Sequence, residues 1–247
     1  MRSDLGADAA EPPQRNAPGT AARVAASLRE QIITGELPPR TRLKDAQLSQ
    51  IHQVSRNTVR EALRELERDG LVTSRPHAGS AVKVLTEADA HDIYRVRYWI
   101  EAAGVEGSTS ADPEQLARFP SFVAMAREAA AEGSWADVGT NSLRLHQAIV
   151  GLLGSPMLDA FFATIVAQLR LVFALADDEA ALQAQWIDRD EKLVDLLISG
   201  MRGQAQLELR QYLSDSEAQI IEVIRASGAA ALTSRESPPP RPRAVIE

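Results

Sequence analysis

The sequence predicts a mainly α-helical protein: three short helices and a two-stranded β-wing come first, and an antiparallel bundle of about six helices follows. Two observations support this class. Apolar residues recur at helical spacing through most of the 247 residues, which is the primary signal of amphipathic helices. Alanine is abundant and aromatic residues make up only 4% of the chain, a composition that favours helices over sheets.

Composition divides the chain into four segments. Residues 1–19 and 228–247 are rich in Ala, Pro and Gly without a periodic apolar pattern, so we expect a disordered lead and a disordered tail that contains Pro and Arg. Residues 20–85 carry the short helices and the wing, and residues 86–227 carry the all-helical bundle.

The net charge of −7 is unevenly distributed along the chain. Residues 20–84 contain 11 Lys and Arg against 7 Asp and Glu, whereas the remaining residues contain 16 against 27. A mildly basic module joined to an acidic body suggests that only the first part binds a polyanion.

Two absences in the sequence exclude whole classes of function. The chain has no cysteine, which excludes disulfides, a thiol nucleophile and thiolate metal sites. No apolar run approaches the ~20 residues that span a bilayer. We therefore expect a cytoplasmic protein without a membrane partner.

The first module begins with two predicted helices. An apolar stripe between Thr20 and Ile32 predicts the first, which Gly35 ends. The segment KDAQLSQIHQ predicts a short second helix with Leu48 and Ile51 facing inward. After the third helix, LVTSRPHAGSAVKVL has β-leaning ends around a turn that contains Pro and Gly. This pattern predicts the two-stranded wing.

The third helix, VSRNTVREALRELERDG, combines an apolar face with a polar edge. Ser55 is a good N-cap and Gly70 a helix stop. The apolar side chains at i, i+4 and i+7 are Val59, Leu63 and Leu66. The polar side chains near the helix start, off that face, are Arg56, Asn57, Arg60 and Arg64. Such an edge suits a DNA major groove, because guanidinium groups bind guanine or phosphate bidentately and Asn pairs with adenine. Arg64 and Arg68 lie beside glutamates and equally fit a solvated face with helix salt bridges.

From Thr86 to Ser227 every pattern is helical. Thr86, followed by acidic residues, predicts the start of the first bundle helix. Asp112 and Pro113 open the second, because Pro is favoured at the first helical position. Four more helices are predicted at about residues 134–153, 156–176, 179–199 and 202–226. Their short connections indicate an antiparallel bundle.

The order of these elements resembles the GntR family of bacterial transcription regulators. The segments GELPPRTRL, VSRNTVREALREL and DGLV are similar to motifs of its winged helix-turn-helix domain. The bundle, entered by DIYRVRYWIEAAGVE, resembles the ligand-binding FCD domain of the FadR subfamily. The resemblance covers roughly residues 20–226. It implies a homodimer that binds a double-stranded DNA operator and holds a small-molecule effector, with an organic acid as one candidate, in the bundle.

The resemblance also assigns candidate DNA contacts. Arg56 and Arg60 match arginines that contact operator bases and backbone, and Thr58 matches a phosphate donor. Lys44 and Gln47 are added because KDAQLS departs from many relatives, which have Arg or Glu before the Leu-Ser pair. The whole set, with the wing tip that enters the minor groove, is Lys44, Gln47, Ser55, Arg56, Asn57, Thr58, Arg60, His77 and Gly79.

Many FCD domains bind a divalent metal, and the resemblance locates the equivalent positions here. Their ligands are an Asp, a His four residues later and two further His about 22 residues apart. The corresponding residues are Ser142, His146, Asp190 and Tyr212, so one of the four expected ligands is unchanged. His146 and Asp190 alone make a poor metal site, and we expect no tightly bound metal or other cofactor.

These positions nevertheless lie on core-facing stripes. A buried Asp190 needs a partner, because an uncompensated carboxylate costs several kcal/mol in the interior. His146, Tyr212 and Arg97 are the candidates, and Arg97 matches an arginine common in the first FCD helix of the family. Two interpretations stay open. The residues either satisfy only each other, or they form a metal-free effector site of Arg97, Ser142, His146, Asp190 and Tyr212.

A ligand-responsive transcription regulator of the repressor type is the function that the sequence favours. One alternative is a helical metal-dependent enzyme with an accessory N-terminal domain. Another is a regulator whose bundle binds no ligand and only dimerises. The sequence contains no Gly-rich phosphate loop, Gly-x-Ser-x-Gly or His-Glu-x-x-His motif, which disfavours the enzyme. The sequence does not decide whether the protein represses or activates transcription. It also leaves open the operator sequence and the identity of the effector.

Overall fold

The helices and strands follow the predicted order. The computed structural model describes residues 19–75 and 79–236. The N-terminal module contains α1 (Thr20–Ile33), β1 (Arg42–Leu43), α2 (Asp45–Ile51), α3 (Arg56–Arg68), β2 (Val72–Arg75) and β3 (Gly79–Val82). The bundle contains α4 (Glu87–Gly107), α5 (Pro113–Leu116), α6 (Phe119–Ala131), α7 (Trp135–Gly151), α8 (Pro156–Phe173), α9 (Glu179–Ile198) and α10 (Arg202–Glu236). The lead predicted for residues 1–18 and the tail after Glu236 lie outside the described residues.

The predicted wing is confirmed, and a third strand joins it. β2 pairs with β3 in antiparallel register, with Val72 opposite Val82. β1 pairs with the other side of β3, with Arg42 opposite Ala81, so the strand order is β1-β3-β2. β1 spans only two residues. The alternation of a strand has no room to show in so short a segment, which is why the sequence did not reveal it.

α3 has the predicted cap and core face, whereas α2 differs in one residue. Ser55 accepts the backbone N–H of Thr58 at 3.1 Å, as an N-cap does. On α2, Leu48 is buried but Ile51 is 61% exposed. The inward position predicted for Ile51 is therefore wrong. α2 ends at Ile51, so no further turn continues the apolar stripe.

Two helix boundaries of the bundle differ from the sequence prediction. Asp112 caps the short α5, and α6 starts separately at Phe119, where one helix was predicted. The last helix, α10, continues to Glu236. The tail predicted from residue 228 is therefore wrong as far as Glu236. The segment from Gly228 is rich in alanine, which has the highest helix propensity and extends α10.

α8 is long and apolar enough to cross a membrane by length and composition, contrary to the sequence expectation that no such run exists. Its inner side, which includes Phe162 and Leu169, is buried in the bundle. It also carries Gln168 and Arg170. A core helix of a folded domain passes the same test, so this single helix is weak evidence for a membrane span.

The N-terminal module packs directly on the bundle. Gln168 of α8 donates to the backbone oxygen of Asp69, the residue after α3, at 2.5 Å. Arg144 of α7 pairs with Glu30 of α1 at 3.1 Å. Buried apolar side chains of both parts belong to one continuous core among the described residues. The bundle therefore positions the third helix of the module.

Candidate DNA interface and effector site

The N-terminal end of α3 presents an exposed polar edge. Arg56 and Asn57 are both exposed. Asn57 donates to Glu61 at 3.3 Å, and the hydroxyls of Ser55 and Thr58 share a hydrogen bond of 2.9 Å. These contacts lie within the first turns of the helix and are open to solvent. The edge can therefore exchange them for hydrogen bonds to DNA.

A concave groove beside this edge is lined by α2, α3 and the sheet. Its charged side chains are Arg42, Lys44, Asp45, Arg60, Arg64 and Glu67. Arg60 Nε donates to Asp45 Oδ2 at 2.8 Å, and both side chains reach solvent. Four cations outnumber two carboxylates, so the groove is positive and suits a phosphate backbone.

The groove brings together several predicted residues and adds others. Lys44, Arg60 and Gly79 line it together, and Gln47 is exposed on α2. His77 lies outside the described residues. Sequence reasoning missed Arg42, which lies on β1, and assigned Arg64 more simply to a solvated face. No local pattern marks a residue of a two-residue strand, so Arg42 becomes visible only beside its neighbours.

The five predicted effector residues meet inside the bundle, and all are buried. Arg97 comes from α4, Ser142 and His146 from α7, Asp190 from α9 and Tyr212 from α10. The Ser142 and Tyr212 hydroxyls share a hydrogen bond of 3.1 Å, and the His146 and Tyr212 ring centroids lie 4.7 Å apart. Four helices thus contribute to one polar cluster.

Glu101 stands at the centre of the charge network, although sequence reasoning missed it. Its Oε1 accepts from Arg97 Nε at 2.6 Å, and its Oε2 lies 2.5 Å from His146 Nδ1. The residue is fully buried on α4. Its position four residues after Arg97, on the same inward face, was a signal that could have identified it. We refer to Arg97, Glu101, Ser142, His146, Asp190 and Tyr212 as the buried cluster.

Burial and charge shift the pKa values of the buried cluster in different directions. Burial opposes ionisation of Glu101, but Arg97 and His146 together outweigh it and lower the pKa of this carboxyl. Burial raises the pKa of Asp190 in spite of the neighbouring His146. Burial and the adjacent Asp190 raise the pKa of Tyr212 well above its ordinary value. Glu101 is therefore the stable anion, and Asp190 is the carboxyl that takes up a proton more readily.

Three buried polar atoms of the cluster lack a hydrogen-bond partner among the described residues: Arg97 Nη2, His146 Nε2 and Asp190 Oδ1. The last two are 3.8 Å apart, beyond hydrogen-bond range. The charge of Arg97 lowers the pKa of both Asp190 and Tyr212, against the effect of burial. An unsatisfied buried polar group costs about 1–3 kcal/mol. The fold thus keeps donors and acceptors that a bound polar molecule would satisfy.

Two family models match the chain. The model of bacterial regulatory proteins of the gntR family matches residues 20–82, and the FCD domain model matches residues 92–215. The chain belongs to the GntR family. It is a DNA-binding transcription regulator with an FCD domain, as in FadR-like members, and it is not an enzyme.

Named relatives of this GntR regulator carry similar descriptions. The HTH-type transcriptional regulator YdhC of Bacillus subtilis is 37% identical over 90 residues, which cover 36% of this chain and 40% of YdhC. An HTH-type regulator of Agrobacterium vitis is 30% identical over 113 residues, which cover 44% of this chain and 66% of that protein. The matches thus span less than two thirds of either relative.

Solved structures show the same architecture. A GntR transcriptional regulator of Rhodococcus sp. RHA1 superimposes with a TM-score of 0.75 at 34% identity, covering 82% of this chain and 97% of that one. E. coli McbR/YncC superimposes with a TM-score of 0.68 at 19% identity, covering 82% and 98%. At that identity the second likeness concerns the fold alone.

The buried cluster of this regulator does not fit the divalent metal that many FCD domains bind. Glu101 engages His146 Nδ1 at 2.5 Å, and the Ser142 and Tyr212 hydroxyls bond to each other at 3.1 Å. Only His146 Nε2 and Asp190 Oδ1 offer free strong donor atoms. Within residues 19–75 and 79–236, no group of three or more His, Asp and Glu side chains is arranged to hold a metal ion. Two ligands are too few for a transition-metal site in a protein.

Proposed function

We propose that this GntR regulator is a cytoplasmic repressor that binds a palindromic operator as a homodimer and is released by a small organic acid bound at the buried cluster. The observation that carries the effector part is the set of three unpartnered buried atoms on Arg97, His146 and Asp190. A cluster that only satisfied itself would not leave all three without partners.

The chemistry of the buried cluster supports an acid as the ligand. Arg97 Nη2 is a free guanidinium donor, which suits a carboxylate oxygen. The pKa of Asp190 is raised by burial, so this residue can lose its charge when a second anion enters. His146 Nε2 and the Tyr212 hydroxyl can then orient the rest of a small polar molecule.

The homodimer follows from the size of the DNA-reading surface. The groove and the start of α3 offer one recognition helix, which contacts a single major-groove half-site. Two copies related by a twofold axis match the two halves of a palindrome. Contacts such as that between Gln168 and Asp69 would pass a change in the bundle to α3.

Effector binding is tested by ligand-dependent stabilisation and DNA release. Wild-type protein is screened with small mono- and dicarboxylates by thermal shift. Each compound that binds is then added to the complex between the protein and the DNA upstream of the protein's own gene. A hit at 100 times its Kd should stabilise the wild type by about 2.7 kcal/mol. Asp190→Ala, which removes the polar group at this position, and Tyr212→Phe should lose this response while binding DNA normally. Tyr98→Phe, outside the cluster, is the control.

Each outcome of this screen bears on a different part of the proposal. Normal responses of both cluster variants would place the effector elsewhere. If only molecules without a carboxylate bind, the proposed ligand class is wrong. If nothing binds, the bundle serves dimerisation alone. Transcription in vitro from the same DNA should fall when the protein is added, and a rise would identify an activator.

The DNA-reading edge is tested with a matched pair of arginines on α3. Arg56→Ala should weaken operator binding by about 1–3 kcal/mol, because a bidentate base or phosphate contact is lost. Arg68→Ala, in the last turn of the same helix, should change affinity little. Fluorescence anisotropy at fixed salt measures both variants. Equal losses would show that the start of α3 is not the reading edge.

A further inference from the structure

The outer face of α4 lies between two surface grooves. We define it by the residues Asp92, Arg95, Trp99, Ala103 and Glu106, which are all exposed. Arg95 lines the groove toward α8 and also the groove toward α10. Trp99 follows one turn later and is 69% exposed, with its ring edge-on to Tyr98 at 5.2 Å. A tryptophan side chain is rarely exposed to this extent on a helix surface that has no binding partner.

Further large apolar side chains flank this outer face. Phe161 of α8 lines the same groove as Arg95, and Met157, one turn earlier, is 82% exposed. On the other side, Leu207 of α10 is 69% exposed. Bonds from Arg225 to Glu87 and from Gln206 to Glu106 align α10 antiparallel to α4. Leu207 therefore lies level with the second half of α4, and the apolar side chains extend across three helices.

We propose that this face binds a second copy of the chain, with α4 crossing the partner's α4 antiparallel about a twofold axis near residues 100 and 101. The inference rests on the proposed homodimer and names its surface. Arg95 and Glu106 lie equally far from that axis on the same exposed face. An antiparallel pair thus sets Arg95 against the partner's Glu106, and the symmetry repeats this contact. Trp99 then covers the axis together with its copy.

The spacing of the two DNA-reading modules agrees with this arrangement. The start of α4, Glu87, directly follows the N-terminal module. At 1.5 Å per residue it lies about 20 Å from the proposed axis. An antiparallel pair therefore separates the two α4 starts by about 40 Å, close to the 34–36 Å between successive major-groove half-sites.

A charge-reversal cycle on the full chain tests the interface. Arg95→Glu and Glu106→Arg each place like charges opposite one another at both symmetry-related contacts. Each substitution should therefore raise the Kd of the dimer about 30-fold or more, measured by sedimentation equilibrium. The double variant restores opposite charges and should return within about threefold of the wild type. Trp99→Ala should raise the Kd at least about tenfold. Glu128→Arg and Met125→Ala, both exposed on α6, are the matched controls.

The outcomes separate this interface from the homodimer itself. If the wild type is dimeric and all three single variants dimerise equally well, the outer face of α4 is not the interface, while the proposed function stands. If single reversals weaken the dimer but the double variant does not recover, the antiparallel pairing is wrong. A wild type that remains monomeric, free and on operator DNA, overturns both proposals. Circular dichroism confirms that each variant is folded.

Discussion

At the scale of single residues, Glu101 holds the buried cluster together. Its two oxygens contact Arg97 and His146, at 2.6 and 2.5 Å. Arg97 is only 2% exposed, so water cannot replace the carboxylate as its counterion. A buried ion pair need not stabilise a fold compared with apolar residues, but removal of one partner leaves an uncompensated charge. Among the residues of the buried cluster, we therefore expect loss of the Glu101 charge to reduce the stability of the bundle most.

Substitution of Glu101 by Gln should lower the free energy of unfolding by about 3–5 kcal/mol, because Arg97 then keeps a buried charge without a counterion. The pKa of Glu101 is lowered from 4.5, so the stabilisation is present above that pH and is lost as the pH falls through the folded-state pKa. Urea denaturation at neutral and acid pH measures the effect. Glu128→Gln, exposed on α6, is the control, and an equal loss there would contradict the assignment.

Asp190 should have the opposite pH dependence. Burial raises its pKa above 3.8, so the unfolded chain ionises before the folded chain does. The folded state therefore loses stability as the pH rises from 3.8 toward the folded-state pKa, by at most about 1.4 kcal/mol per pH unit. Asp190→Asn has no such charge, and its stability relative to the wild type should increase between pH 4 and pH 7. A constant difference would mean that Asp190 is not desolvated.

At the scale of elements, each face of α4 lies in a different environment. One face buries Arg97 and Glu101 in the cluster, and another exposes Trp99. A third lies so close to α7 that a Cβ on Gly104 would come 2.4 Å from the backbone oxygen of Ile149. The apolar spacing of the sequence predicted this helix, yet that spacing could not say which neighbour each face has. The assignment comes from packing.

Gly104→Ala should destabilise the protein by about 1–3 kcal/mol, because α4 and α7 must separate to admit a methyl group. Gly203→Ala is the control: a Cβ there meets nothing within 4 Å. Since Ala is the better helix former, that variant should be neutral or more stable by up to about 1 kcal/mol. Thermal denaturation compares the two. A loss of the same size in both variants would contradict the close approach.

Elements differed in how well the sequence predicted them. α3 was predicted in full, because its cap, apolar face and stop are local signals that the fold uses unchanged. β1 and the separation of α5 from α6 were not predicted, because segments of two and four residues are too short to show a repeating pattern of apolar residues. The predicted effector residues do meet, but Glu101 was missed although it lies four residues after Arg97.

At the scale of the whole molecule, α8 connects the bundle to the DNA-reading module. Gly70, which ends α3 with φ of +70°, lies against Gln168, whose Nε2 would be 2.7 Å from a Cβ at that glycine. The same side chain binds the Asp69 oxygen at 2.5 Å. Both parts also share one continuous apolar core among the described residues. These contacts make independent unfolding of the module unfavourable.

The chain should therefore unfold in one cooperative transition. All three tryptophans, Trp99, Trp135 and Trp186, lie in the bundle, so fluorescence follows the bundle whereas circular dichroism follows both parts. The two unfolding curves should coincide for the wild type and for Gln204→Ala, an exposed control on α10. Gln168→Ala should lower the midpoint of both curves. Separate curves for the wild type would show that the contacts with α8 do not couple the parts.

The sequence alone determined the order of the helices, the wing and the polar edge of α3, because periodicity and capping act over a few neighbouring residues. The tertiary structure decided which of those side chains meet. Glu101 and His146 are 45 residues apart in the chain, and Gln168 and Asp69 are 99 apart. Packing likewise left Trp99 on the surface and placed Arg42 in the positive groove. Burial and partnership depend on distant residues, which no local pattern contains.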